Sequence, residues 1–203
     1  MYDKNVSIYT EDGRIKQVEF AMKSMNLGAT TVAAIINNEI VFVSEKKKVN
    51  SLQKVESIKK HFKISKNALA AFAGVTSDAP KLLSICRMLS SQHNFYYDCE
   101  ISSKLMLDRL CRIALMFGDE EDKRIYPRPF GVNMLVGVFE DKPRLFCIDP
   151  SGSYVEVTRY AIGSGSEVIN LDGELTEEII RERVRNVCVG KDVELEVSRL
   201  SKN

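Results

Sequence analysis

Residues 30–43 have the sequence TTVAAIINNEIVFV, and this stretch is the strongest local indication of the fold class. It contains two runs of β-branched and apolar residues, which favour extended strands. Asn37 and Asn38 separate the runs, and asparagine tolerates the positive φ angles that a tight hairpin turn requires. The stretch therefore predicts an antiparallel β-hairpin with strands at 30–36 and 40–43.

An amphipathic helix is predicted directly before this hairpin, over residues 13–26. Its apolar side chains recur at helical spacing and form one stripe. The stripe consists of Ile15, Val18, Met22 and Met25. Gly28 follows, as is typical of the segment after a helix end.

Beyond the hairpin, strands and helices come in separate runs. Further strands are predicted at 61–64, 68–73, 132–139, 144–148, 154–157 and 193–199. Helices are predicted around 82–89, 106–117 and 176–188, the last one capped by Thr176. Because strands follow one another rather than alternating singly with helices, the order indicates an α+β domain. We expect two stacked antiparallel sheets flanked by helices.

The composition excludes several classes of protein. The chain has 203 residues, of which 44% are hydrophobic and 28% charged, as in an ordinary single globular domain. A net charge of +1 argues against a nucleic-acid binder that works through bulk charge. No stretch approaches the roughly 20 apolar residues of a membrane span. Five cysteines without a CxxC pair predict neither a disulfide framework nor a zinc site, and favour a reducing compartment.

Residues with catalytic chemistry are few. A serine-type triad needs a histidine base, and His61 and His93 are the only histidines. We interpret both as structural or surface residues. No cluster of donors has metal-ligand spacing, so neither a metal nor a cofactor is expected. Gly163-Ser164-Gly165-Ser166 could cradle a phosphate, but Val168 stands where a GxGxxG motif needs its third glycine. A tight strand-to-helix turn is therefore the favoured interpretation of this segment.

The segment Gly28-Ala29-Thr30 matters most for the question of catalysis. An N-terminal-threonine hydrolase exposes its nucleophile by cleavage after a glycine, and the free α-amino group then acts as the base. Here Ala29 follows the glycine, and alanine has no hydroxyl with which to attack a carbonyl. The sequence therefore predicts a non-catalytic chain. A threonine-type peptidase cut before Thr30 stays open as an alternative.

Six ordered motifs resemble those of proteasome core-particle alpha subunits. They are YDK at 2–4, DGRIKQVEFA at 12–21, ESIKK at 56–60, RPFGV at 128–132, DPSG at 149–152 and AIGSG at 161–165. Three shorter pairs are most similar to the alpha type 5 subunit, namely Leu27-Gly28, Glu45-Lys46 and Gln92-His93.

The resemblance implies a double β-sandwich of the N-terminal-nucleophile hydrolase class, preceded by a helix. It implies one domain over 1–203, with a gate and ring-contact segment at 1–28 and a sandwich at 29–203 whose C-terminus is shortened. The implied function is that of a non-catalytic structural and gating subunit of the alpha ring. This ring supports ubiquitin-dependent protein degradation in cytoplasm and nucleus. The implied partners are neighbouring alpha subunits, beta-ring subunits, and regulatory-particle ATPases or other activators, but neither nucleic acid nor a membrane.

The resemblance also assigns site residues. Lys60 and Gly74 match an activator-docking pocket, and the helix stripe of Ile15, Val18, Met22 and Met25 matches a ring contact. The gate residues are Tyr2, Asp3, Glu11 and Phe20.

The gate departs from the family pattern at two positions. Glu11 replaces a proline and loses its fixed φ, and Phe20 replaces a tyrosine and cannot donate a hydrogen bond. The chain also begins one residue before Tyr2, which leaves two interpretations open: the start is mis-called, or this subunit leaves closure of the pore to its neighbours. A free homo-oligomeric binding module with the same fold is the second alternative function.

Overall fold

The computed structural model describes residues 6, 8–48, 50, 52–118, 126–188 and 193–202. Its helices are α1 (Lys16–Met25), α2 (Ala79–Tyr97), α3 (Ser103–Ala114) and α4 (Glu177–Val187). Its strands are β1 (Thr31–Ile36), β2 (Glu39–Lys46), β3 (His61–Lys63), β4 (Ala68–Gly74), β5 (Val132–Phe139), β6 (Pro143–Ile148), β7 (Tyr154–Val157), β8 (Arg159–Ile162) and β9 (Glu194–Leu200). A short 3-10 turn lies at Val55–Ser57.

The predicted hairpin is formed by β1 and β2. The strands pair antiparallel, with Val32 opposite Val43. Asn37 and Asn38 adopt φ angles of 48° and 63°, both in the left-handed region. Two successive positive φ angles are those of a type I′ turn, whose twist matches that of the flanking strands. The asparagine pair therefore sets the register of the hairpin.

The strands form two antiparallel sheets. One has the order β8-β1-β2-β9, and the other has the order β3-β4-β5-β6-β7. Buried side chains from both sheets meet between them, including Phe42, Leu135 and Leu145. Helices α2 and α3 cover the outer face of the five-stranded sheet, and α4 covers the four-stranded one. The predicted α+β fold of two stacked sheets flanked by helices is confirmed.

Helix α4 illustrates how the outer helices pack against the sheets. The Thr176 side chain accepts a hydrogen bond from the Ile179 N–H at 3.3 Å, so the predicted cap is confirmed. Ile180 and Val184, four residues apart, are both fully buried against the sheet. Burial of this one apolar face holds the helix on the four-stranded sheet.

The structure corrects two sequence predictions. Helix α1 begins at Lys16 rather than at Gly13, because Gly13 adopts φ +71° in a turn closed by its own N–H to the Thr10 carbonyl. Residues 163–168 form turns and do not open a helix. Gly163 has φ +92°, and its backbone packs against the backbone of Gly28 and Ala29, directly before β1.

Candidate functional site

Ala29 and Thr30, the residues on which the prediction of a non-catalytic chain rests, lie just before β1 and are closed to solvent. Ala29 is 7% exposed and Thr30 is 1% exposed. The Thr30 N–H donates to Glu45 Oε2 at 3.2 Å, and Thr30 Oγ1 accepts from the Gly165 N–H at 3.0 Å. The N–H and the hydroxyl of Thr30 are therefore both engaged inside the fold.

The turn at 163–166 closes the other side of this position. The Ser164 N–H donates to the Gly28 carbonyl at 2.8 Å, and the Ser166 N–H donates to the Gly163 carbonyl at 3.1 Å. With the Gly165 N–H bonded to Thr30, three successive donors are used within the chain. Since a phosphate cradle needs free N–H groups, this turn is structural.

A chain of polar side chains runs through the interior beside Thr30. Thr31 Oγ1 lies 2.7 Å from Ser44 Oγ, and Ser44 Oγ lies 2.7 Å from His61 Nε2. His61 Nδ1 lies 2.8 Å from Ser198 Oγ. His61 lies in the five-stranded sheet, whereas Thr31, Ser44 and Ser198 lie in the four-stranded sheet. The imidazole therefore ties the two sheets together.

His61 is neutral at neutral pH. Burial lowers its pKa to about 4, and the nearby Lys46 and Lys60 act in the same direction. A neutral imidazole has one donor and one acceptor nitrogen, and hydroxyls can satisfy both. Ser44 and His61 have the spacing of a hydrolase pair, but Ser44 is 0% exposed, so no substrate reaches its hydroxyl. His61 is structural, as the sequence analysis interpreted it.

Lys60 lies directly before β3 and lines an apolar cavity of about 220 Å³. The cavity is lined by Lys59, Lys60, Phe62, Phe72, Thr76, Ala79, Pro80, Leu83 and Arg87. The charged members of this set are all cationic, and the remaining walls are mainly aromatic and aliphatic. Such a cavity suits a ligand that combines an apolar group with an anion.

The charge of Lys60 is set by opposing effects. Burial lowers the pKa of the ammonium, whereas Glu45 and Glu196 raise it and Lys47 lowers it further. Glu45 lies on β2 and Glu196 lies on β9, so the two carboxylates come from strands that are far apart in the sequence. Lys60 is therefore a half-buried cation whose pKa responds to two acids of the four-stranded sheet.

Gly74, the second predicted pocket residue, contacts the chain's own backbone. It has φ +112°, and a Cβ at this position would meet the Gly131 carbonyl oxygen and the Met25 Cα. Gly74 does not line the cavity beside Lys60. Its missing side chain makes room for α1 and β5, and its part in ligand binding stays a prediction of the family resemblance.

Helix α1 presents two kinds of apolar residue. The predicted stripe is half-buried against the chain's own β4 and β5, and consists of Ile15, Val18, Met22 and Met25. Phe20 and Leu27 are 46% and 79% exposed. Glu11 is exposed in the turn before the helix. Tyr2 and Asp3, the other predicted gate residues, lie outside the described residues.

Comparison with known proteins names the family. The family "Proteasome subunit" matches residues 25–181, and the N-terminal signature of A-type proteasome subunits matches residues 2–23. The chain belongs to the proteasome alpha-subunit family. This assignment agrees with the resemblance carried by the six sequence motifs.

Individual relatives agree with the family assignment. A probable proteasome alpha type-5 subunit of Encephalitozoon cuniculi is 38% identical over 179 residues, which cover 87% of this chain and 77% of the relative. A protein with the same description from Schizosaccharomyces pombe is 36% identical, over 82% of this chain and 68% of the relative. The proteasome alpha subunit of Methanocaldococcus jannaschii is 30% identical, over 99% and 74% respectively. The chain is thus similar to alpha type-5 subunits of several species.

One family motif depends on a residue that sequence reasoning missed. Arg128 of RPFGV donates two hydrogen bonds to the Asp78 carboxylate, at 2.8 and 2.9 Å. Asp78 also accepts from the Gly131 N–H at 3.0 Å. The signal in the sequence was an aspartate directly before the Ala79-Pro80 start of a helix. Asp78 therefore fixes the segment that packs against Gly74 and α1.

Glu196 was missed as well. Leu195 and Val197 pack against the α4 side of the four-stranded sheet. Strand alternation then places Glu196 and Ser198 on the opposite face, toward the five-stranded sheet. The signal in the sequence was an acidic residue on the face of β9 that points toward the five-stranded sheet.

The described residues offer neither a metal cluster nor a membrane-spanning helix. No group of three or more His, Cys, Asp or Glu side chains among them could hold a metal ion. No helix in the same ranges is long and apolar enough to span a membrane. All five cysteines carry free thiols.

Proposed function

We propose that this chain is a non-catalytic structural and gating subunit of the alpha ring in a proteasome core particle. The observation that carries the proposal is the closed position before β1 in a chain of this family. Ala29 has no nucleophile, and Thr30 is buried with its hydroxyl bonded to Gly165. The chain then contributes contacts and docking surface to a protease whose chemistry lies elsewhere.

The proposed partners are neighbouring alpha subunits and the beta-ring subunits. Phe20 and Leu27 are exposed on and directly after α1, the helix to which the family resemblance assigns the ring contact, and a neighbouring subunit would cover them. The stripe of Ile15, Val18, Met22 and Met25 would be completed by a neighbour, since it is only half-buried here. Val18→Asp should then block assembly, and normal assembly would contradict this contact.

The proposed gate uses the segment before α1. Glu11 is exposed in the turn before α1 and Phe20 is exposed on α1, and Tyr2 and Asp3 complete the set by family resemblance. Phe20 keeps an aromatic ring without a hydroxyl, so it packs but does not donate. We propose a gate network that relies on packing more than on hydrogen bonds in this chain.

The proposed docking residue is Lys60. Its ammonium would pair with the C-terminal carboxylate of an activator tail, such as that of a regulatory-particle ATPase. The cavity beside it has apolar walls formed by Phe62, Phe72 and Leu83, which would take the tail's apolar side chains. We further propose action in cytoplasm and nucleus, in ubiquitin-dependent degradation.

Native mass spectrometry of the endogenous complex, with collisional ejection of this chain, tests the proposal. We expect a large mixed assembly that ejects a chain retaining the residues before Ala29. Ejection of a chain beginning at Thr30 would instead support a threonine-type peptidase. A small assembly made only of this chain would support the free homo-oligomeric module.

Lys60→Ala tests the docking part separately. We expect weaker binding of a tail peptide with a free carboxylate and an unchanged mass of the assembly. Lys54→Ala is the control, because Lys54 is exposed and also precedes β3 in the sequence but does not line the cavity. Equal binding by wild type and Lys60→Ala would contradict the docking role.

A further inference from the structure

The Glu196 side chain joins two strands that have no backbone ladder between them. Strands β9 and β3 lie at the edges of different sheets, so no backbone ladder joins them. The Glu196 carboxylate bridges this gap: Oε2 accepts from the Lys60 N–H at 2.8 Å, and Oε1 accepts from the His61 N–H at 3.3 Å. Its side chain is 19% exposed. One carboxylate thus binds two successive amides at the start of β3.

The same carboxylate faces a small charged cluster. Burial and Lys47 lower the pKa of Lys60, whereas Glu45 and Glu196 raise it, and Lys59 and Arg87 line the same cavity as Lys60. His61 also lies beside Glu196, with 3.7 Å between Nδ1 and Oε1, but it is neutral. Without Glu196, Glu45 would be the remaining acid that raises the pKa of this half-buried ammonium, against burial and Lys47. Such an ammonium loses its proton more readily.

We propose that Glu196 is a positioning residue for Lys60: its carboxylate fixes the backbone that carries Lys60 and, with Glu45, keeps the Lys60 ammonium charged. The biological meaning of this inference rests on the proposed docking role of Lys60. The inference itself concerns the charge and placement of one side chain and is measurable without a ligand.

A pH dependence follows from the proposal. Lys60 binds a carboxylate only while it is protonated, so docking weakens as the pH rises through the pKa of Lys60. Loss of the Glu196 charge moves this weakening to lower pH. A purely structural role for Glu196 would change affinity or stability but would leave the position of the pH profile in place.

Competitive labelling of the full chain measures the effect directly. Trace acetic anhydride reacts with unprotonated amines, and mass spectrometry of the peptide containing residues 59 and 60 separates the two lysines. In Glu196→Gln we expect the labelling midpoint of Lys60 to move to lower pH. The midpoint of exposed Lys59 should stay in place. Glu194→Gln, at an exposed position of the same strand, is the matched control and should shift neither lysine.

The conservative variant and the unmodified chain supply further tests. Glu196→Asp retains the charge and should restore most of the wild-type midpoint. An unchanged midpoint in Glu196→Gln, or an equal shift in Glu196→Asp, overturns the charge role. In the wild-type chain, the Lys60 and His61 amides should be protected from hydrogen exchange, because Glu196 accepts both. Fast exchange at both amides overturns the positioning role even if the variants do not fold.

Binding of a short apolar peptide with a free C-terminal carboxylate separates this inference from the docking proposal. The amidated peptide serves as the control. If Lys60→Ala binds the peptide as wild type does, the docking role fails while the labelling result stands. If Lys60→Ala loses binding but Glu196→Gln keeps the wild-type pH profile, docking stands and the role of Glu196 fails.

Discussion

The space between the two sheets has an apolar end and a polar end. At the apolar end, Phe42, Leu135 and Leu145 are fully buried. At the polar end, Ser44, His61 and Ser198 form a hydrogen-bonded chain that borders Phe42 through the His61 ring, 5.7 Å away between centroids. Burial of apolar area stabilises the first end, whereas the second is stable only while each polar atom keeps its partner.

This contrast indicates that the polar end of the interior, rather than the apolar end, positions the proposed docking residue. The polar end is the end that holds Lys60, because Glu196 and His61 tie β3 to the four-stranded sheet there. An apolar filling would pack as well but could not hold a backbone amide or a neighbouring ammonium. Four predictions test the contrast between the two ends, in order of decreasing effect.

Leu135→Ala should cause the largest loss, because it opens a cavity at the apolar end. We expect the free energy of unfolding to fall by about 2–5 kcal/mol, measured by urea denaturation. Val155→Ala is the control, since Val155 is 55% exposed on β7 and should change stability by less than about 0.5 kcal/mol. A loss below about 1 kcal/mol for Leu135→Ala would contradict the assignment of this end as the rigid core.

Acid should destabilise the polar end selectively. His61 has a pKa of about 4 in the folded chain against an ordinary value of 6.5, so between these values the unfolded chain binds more protons. Stability is therefore complete above pH 6.5 and is lost as the pH falls toward 4, by up to roughly 3 kcal/mol. Unfolding measured at several pH values in wild type and His61→Gln checks this, and the variant should lack this part of the slope. An identical slope in both proteins would refute it.

Ser198→Ala should cost less, because it removes one partner of the buried imidazole. Loss of the Ser198 hydroxyl leaves His61 Nδ1 with a weaker contact to Glu196 at 3.7 Å. We expect a loss of about 1–2 kcal/mol in the free energy of unfolding. Exposed Ser201 gives the matched control, and Ser201→Ala should have no measurable effect. Equal stability of the two variants would show that the hydrogen bond contributes nothing.

Lys60→Ala should have the smallest effect on stability. Its backbone N–H, not its ammonium, bonds Glu196, and the substitution keeps that N–H. We expect the free energy of unfolding to change by less than about 1 kcal/mol. A larger loss, measured by the same urea denaturation, would mean that the ammonium serves the fold rather than a ligand.

Most of the fold could be predicted because its signals are local. The asparagine pair, the cap at Thr176 and the run of strands between helices each depend on neighbouring residues, and the structure confirms all three. The turn at 163–166 was predicted wrongly to open a helix. Its N–H groups bond to Gly28 and Thr30, more than a hundred residues earlier, and no local pattern shows that competition.

The candidate site likewise has features that the sequence predicts and features that only the folded structure shows. The amino-acid sequence is enough to establish that position 29 has no hydroxyl, that the chain carries the alpha-subunit motifs, and that β-strands dominate the order of elements. The folded structure was needed to show that Glu196 bonds the Lys60 N–H, that His61 joins the two sheets, and that Gly74 contacts α1. Side-chain periods of two and 3.6 residues specify which face a residue occupies. Which faces meet depends on how the two sheets stack, since β3 and β9 meet only as edges of different sheets.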